Sequence, residues 1–228
     1  MKVAIASLLI AIMLIAGCKS QQNDTSDKNP GENMKEVFLK TQDNVQIRGT
    51  HYPGKGDGVI LLHMLPTDRN EWRQFAIKLN NLGYNVIAID YRWQTNPNAV
   101  YKDAVMDVKA ARDFLNSSKI LIIGSSIGAN LALNYAVDDE DVDAIVLLSP
   151  GENYHDVATF DAMKQYNRAV LIVASEDDKQ SINASRKLYA LAFGEKEIKI
   201  YPKAGHGTNM FSQPDLADFI IDWLDKHR

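Results

Sequence analysis

Lys119-Ile-Leu-Ile-Ile-Gly-Ser-Ser-Ile-Gly-Ala-Asn-Leu-Ala-Leu-Asn-Tyr135 decides how the rest of this 228-residue chain is read. Ile120 to Ile123 is an apolar run of strand character, and Ala129 to Ala136 has a helical pattern. Between them lies Gly124-Ser-Ser-Ile-Gly128, a G-x-S-x-G with Ser126 at its centre. A strand that turns into a helix over so few residues forces its central residue into a strained backbone. Glycine is needed on either side because a Cβ there would meet the strand or the helix. Such a turn lifts the Ser126 hydroxyl above the sheet and brings the first N–H groups of the helix towards whatever it attacks. Chance alone produces G-x-S-x-G often enough that the rest of the chain must supply the partners.

Working outward, Glu36 to Lys40 and Val45 to Tyr52 alternate apolar and polar residues, which predicts an antiparallel hairpin. Val59 to Leu62 is a continuous apolar run of the kind buried on both faces of a sheet. Helical and strand patterns then alternate. Glu71 to Leu82, Ala99 to Leu115, Val157 to Tyr166, Ser185 to Phe193 and Leu216 to Lys226 read as helices. Val86 to Ile89, Ala144 to Leu148, Val170 to Val173 and Glu197 to Tyr201 read as strands. The expected fold is α/β, a mostly parallel twisted sheet with helices on both faces, opened by an antiparallel hairpin and carrying no large cap domain.

In such sheets the site lies beyond the carboxyl ends of the strands. Ser126 follows one predicted strand, Glu176-Asp-Asp178 another, and His206, within Ala204-Gly-His-Gly-Thr208, a third. The chain order is Ser, acid, His. Together with Leu61-Leu-His-Met-Leu-Pro66 and Val170-Leu-Ile-Val-Ala-Ser-Glu-Asp-Asp178, these residues make residues 36–228 resemble the α/β-hydrolases, in particular small dienelactone-hydrolase-like or lysophospholipase-like serine esterases.

The resemblance implies acyl transfer through a covalent acyl-enzyme, with Ser126 as nucleophile, His206 as general base and Asp178 as the acid that orients it. Asp177 is the alternative acid. It also implies two backbone donors for the oxyanion: Ile127 N–H, and Leu65 N–H with Met64 N–H as second choice. Met64 stands where the family usually has glycine. Pro66 is excluded because it has no N–H. His63 reads foremost as a hydrogen-bonding residue of its own loop; with Trp93, Tyr154 and His155 it completes the candidates for the substrate pocket. The stretch Pro150 to Ala169, where this fold usually inserts a cap, has room for one helix, so an open pocket is expected. The implied substrate is a small molecule, an ester of small or medium acyl size. Thioesters, peptide bonds and acetyl groups on cell-wall sugars stay open, as does a non-catalytic binding role for the same fold.

The N-terminus has a character of its own. Met1-Lys2 precedes an apolar run from Val3 to Ile15 and then Ala16-Gly17-Cys18. A charge, a short apolar run and small residues before a cut are the parts of a secretory signal peptide, and the run falls short of the roughly 20 residues that span a bilayer. Leu14 to Cys18 resembles the lipobox of bacterial lipoproteins. That resemblance implies removal of residues 1–17 and a lipid on Cys18, hence an envelope protein held to a membrane, with the outer membrane favoured by Lys19. Residues 18–34 then read as a lipidated tether, since Lys19 to Asn33 lacks any large apolar residue. Residues 35–228 form the hydrolase-like domain. Cys18 is the sole cysteine, so a lipid there leaves no thiol for disulfides or metal. With a net charge of −4 and no basic block, nucleic acid is not an expected partner. No metal-ligand spacing such as H-E-x-x-H is present, and neither metal nor cofactor is expected.

Overall fold

The computed structural model describes residues 34–227; the expected signal peptide, Cys18 and the expected tether up to residue 33 lie outside the described residues. Eight strands form one sheet in the order β1-β2-β4-β3-β5-β6-β9-β10. They are β1 (Lys35–Lys40), β2 (Gln46–Tyr52), β3 (Gly58–Leu62), β4 (Asn85–Ile89), β5 (Ile120–Ser125), β6 (Val142–Leu148), β9 (Ala169–Ser175) and β10 (Lys196–Tyr201). β2 is antiparallel to both of its neighbours and every other pairing is parallel. β7 (Asn153–Tyr154) and β8 (Val157–Ala158) make a separate small hairpin. Through β2 and β4, Lys35 stands level with Ile60 in mid-sheet, and β1 runs in the direction of β3. The described chain therefore enters the sheet from the amino-end side.

The central strands are continuous apolar runs because both of their faces are covered. Ile60, Leu62, Ile87, Ile89 and Ile122 pack with Val108 and Ala111 of α2 (Val105–Leu115) and with Leu131 of α3 (Ile127–Asp138). Their neighbours Val59, Leu61, Val86, Leu121 and Ile123 point the other way, onto Leu79 of α1 (Arg73–Asn81) and Ile220 and Leu224 of α6 (Leu216–Lys226). One strand thus feeds two cores through its two-residue period, each buried side chain contributing about 1.5–3 kcal/mol.

Two helices expected from the sequence differ in the structure. Val157 to Tyr166 is not one helix: Val157–Ala158 is β8, and only α4 (Phe160–Met163) is helical. The reason is a tertiary contact, since Asn130 on α3 donates to the Val157 carbonyl at 2.7 Å and holds it in the hairpin. The helix expected from Ser185 is α5 (Lys179–Leu191), which starts six residues earlier because Asp178 caps it by accepting Ser181 N–H at 3.4 Å.

Candidate active site

The chain passes from β3 outward to β4, then returns to the other side of β3 to form β5. That reversal opens a crevice at the carboxyl ends of β3 and β5. The loop 63–67 lies on one side of it and the Ser126 turn on the other. Ser126 sits at φ 55°, ψ −117°, the strained backbone that the turn demands. Its glycines are there because of close approach: a Cβ on Gly124 would lie 2.2 Å from Gly128 O, and one on Gly128 would lie 2.3 Å from Leu62 O.

His206 is delivered by the turn after β10. Its Nδ1 lies 2.7 Å from Asp178 Oδ2, which leaves Nε2 uncommitted to any carboxylate. Burial works to raise the Asp178 carboxyl. The hydrogen bond and charge of His206, the Ser149 hydroxyl and the Ser181 N–H outweigh it and hold the group below its ordinary value. Asp177 does something else. Its Oδ1 accepts from the Ser175 hydroxyl, from Ala204 N–H at 3.3 Å and from Gly205 N–H at 3.2 Å, so it fastens the loop on which His206 stands.

A serine at the end of one strand and a histidine–carboxylate pair at the ends of two others put the sheet order and the site in one frame. A family model described as the alpha/beta hydrolase fold matches residues 58–169. The chain has the α/β-hydrolase fold. A protein of Mycobacterium tuberculosis described as uncharacterised is 26% identical, over 81% of this chain and 74% of its own. Among solved structures, an esterase of Pyrococcus furiosus superposes with a TM-score of 0.74 at 19% identity, covering 85% of this chain and 92% of that one. An esterase of Exiguobacterium antarcticum superposes with a TM-score of 0.73 at 15% identity, covering 83% and 99%.

Within this fold the loop after β3 corrects one expectation. Met64 N–H donates to Glu71 Oε1 at 3.0 Å and is spent there, so it is no oxyanion donor. Leu65 N–H carries no hydrogen bond among the described residues. Glu71 was not singled out from the sequence, yet it ties the site together. It also accepts from the hydroxyls of Thr67 and, at 3.2 Å, of Thr208, two residues past His206. Burial raises its carboxyl above the ordinary value against the pull of those three hydrogen bonds. Ser149, at the end of β6, was missed as well. Its Oγ accepts Gly207 N–H at 2.9 Å while its hydroxyl reaches Asp178, so it braces both partners of the histidine–carboxylate pair.

The expected pocket residues separate. His63 is fully buried, with Nδ1 2.8 Å from Met64 O and its ring 4.4 Å from Tyr91, so it shapes the loop and lines no pocket. Burial also lowers its pKa, which favours a neutral ring. Trp93 is a packing residue, stacked between Tyr91 at 4.2 Å and Tyr101 at 4.6 Å. His155 is exposed and stacks on Tyr101 at 4.3 Å. Of the four, only Tyr154 reaches Ser126, with its hydroxyl beside that side chain and its ring edge-on to His206 at 6.3 Å. Ser126 is 8% exposed, and Tyr154 of the small β7–β8 hairpin is one of its neighbours.

Proposed function

We propose that the chain is a serine hydrolase that cleaves carboxylic esters of small to medium acyl size through an acyl-enzyme. The observation that carries this reading is the His206–Asp178 pair at 2.7 Å, placed with Ser126 on its strained turn at one end of the sheet. The esterases that share the fold support the choice of an ester as substrate. In the proposed cycle His206 Nε2 takes the Ser126 proton as Oγ attacks the ester carbonyl. Ile127 N–H and Leu65 N–H receive the oxyanion, each such donor lowering the barrier by about 2.7–4 kcal/mol. Asp178 keeps the imidazole in the required tautomer and stabilises its protonated form. His206 then gives the proton to the departing alcohol, and water releases the acid by the same route.

A fluorophosphonate probe tests the reading. Labelling mapped to Ser126 and abolished by His206→Ala is the expected result, followed by turnover on a panel of esters of graded acyl length, with thioesters and amides alongside. A folded chain that takes no label and turns over none of them overturns the proposal in favour of a binding role.

We further propose that Cys18 carries a lipid and holds the chain to an envelope membrane, the outer one being favoured by Lys19. The lipobox-like Leu14 to Cys18 supports this. Two acyl chains suffice for stable anchoring where one gives only marginal binding. Cys18→Ser should move the chain to the soluble fraction and stop incorporation of labelled palmitate; a variant that still sediments with membranes would sink the idea.

A further inference from the structure

We propose that Tyr154 is a catalytic residue, its phenolic O–H serving as a side-chain hydrogen-bond donor to the tetrahedral intermediate on Ser126 in addition to the two backbone N–H groups. The inference rests on the serine-hydrolase reading and deepens it.

The first observation is an unpartnered group. The Tyr154 hydroxyl is buried and closes no well-formed hydrogen bond, although it stands beside the Ser126 side chain. A buried hydroxyl that closes no well-formed hydrogen bond is costly, and the fold would shed that cost by turning the ring elsewhere unless the position were useful. Attack on an ester would place new oxygen atoms next to Ser126 Oγ, where this donor is already waiting.

The second observation is the effort spent on holding the ring there. Tyr154 and Val157 pair across a two-residue turn, His155–Asp156, whose residues both take positive φ (50° and 66°). The hairpin is clamped to the nucleophile's own helix. Asn130, one turn after Ser126, donates to Val157 O at 2.7 Å and accepts Gly151 N–H at 3.0 Å. Asn134 donates to Ala158 O at 2.8 Å, and the Thr159 hydroxyl donates to Gly151 O at 2.7 Å. The ring lies flush on Gly151, where any Cβ would come within 2.4 Å of it. Tyr154 and Ser126 are therefore tied to the same helix.

The third is protonation state. Burial, then the nearby Asp178 carboxylate, push the phenol up to about 12 against the opposing pull of the Ser126 hydroxyl. It stays neutral throughout the range in which a histidine base works, so it can only offer its proton as a hydrogen bond.

The experiment compares the full-length wild type with Tyr154→Phe, which keeps the ring, its edge-on contact with His206 and its bed on Gly151 while removing the oxygen. We expect kcat to fall about 10²-fold, within the range for losing one oxyanion-type donor. KM should hold within about threefold, and a boronic-acid or trifluoromethyl-ketone analogue should weaken in parallel with kcat/KM. Unchanged or increased kcat in the Phe variant would overturn the proposal and make the ring a cover over Ser126. Equal weakening of ground-state and analogue binding would overturn it too. In both cases wild-type turnover leaves the esterase reading standing, whereas a wild type that neither turns over nor takes a fluorophosphonate removes both.

Discussion

Two adjacent carboxylates, Asp177 and Asp178, show how one residue's position changes its task. Asp178 faces the His206 ring and caps α5, whereas Asp177 turns back to hold Ala204 and Gly205. Asp178→Asn should lower kcat by about 10⁴-fold with the fold intact, since the amide favours the wrong imidazole tautomer. Asp177→Asn keeps an acceptor for the two N–H groups and should cost less than tenfold in kcat while lowering Tm. Steady-state kinetics with thermal melts decide it, and the reverse pattern would move the acid by one residue. The depressed Asp178 pKa also has a sign: its contribution to stability is present above the ordinary 3.8 and is lost as pH falls through the lower folded value. Ser126, His206 and Asp178 were legible in the sequence because each follows an apolar run at a strand end. Ser149 and Glu71 were not, because a hydroxyl and a carboxylate that act through neighbours' N–H groups leave no spacing to read.

At the scale of elements, the loop after β3 and the turn bearing His206 are joined by Glu71 through Met64 N–H and the Thr67 and Thr208 hydroxyls. Removing the carboxylate in Glu71→Ala strands three donors, which predicts a loss of about 1–3 kcal/mol in a urea titration. It should also cut kcat more than KM, as both sides of the crevice loosen; full activity would show that the latch is dispensable. Because burial raises the Glu71 pKa, the folded chain holds this proton more tightly than the unfolded one. Its own contribution to stability is therefore largest at acid pH and declines as pH rises through the raised value, opposite in sign to Asp178. The β7–β8 hairpin escaped sequence reading for two reasons. Its turn, His155–Asp156, lacks the Asn-Gly signature of a tight hairpin, and Val157, Phe160 and Met163 fall at helical spacing. The anchor that decides the matter, Asn130, lies 27 residues earlier.

For the molecule as a whole, alternating strand and helix patterns and double-faced apolar runs made the sheet legible, but not the buried ion pairs that pin its layers. Arg92, after β4, meets Asp107 of α2 at 2.9 Å and Asp43 of the β1–β2 turn at 2.8 Å, with the Asp107 side chain fully enclosed. Asp107→Ala should destabilise the fold by about 3–5 kcal/mol by leaving the guanidinium half-paired. Replacing Arg92 and Asp107 together by Met and Leu should recover most of that, as a shift in urea midpoint would show. A last consequence follows from the direction of β1. Its chain arrives from the amino-end side of the sheet, while Ser126, Asp178 and His206 all stand past the carboxyl ends. Under the anchoring proposed at Cys18, the candidate site would lie on the side of the sheet away from the one by which β1 is entered. On that proposal, substrate would be met from the open solution, and the bilayer would serve as a mooring without being its source.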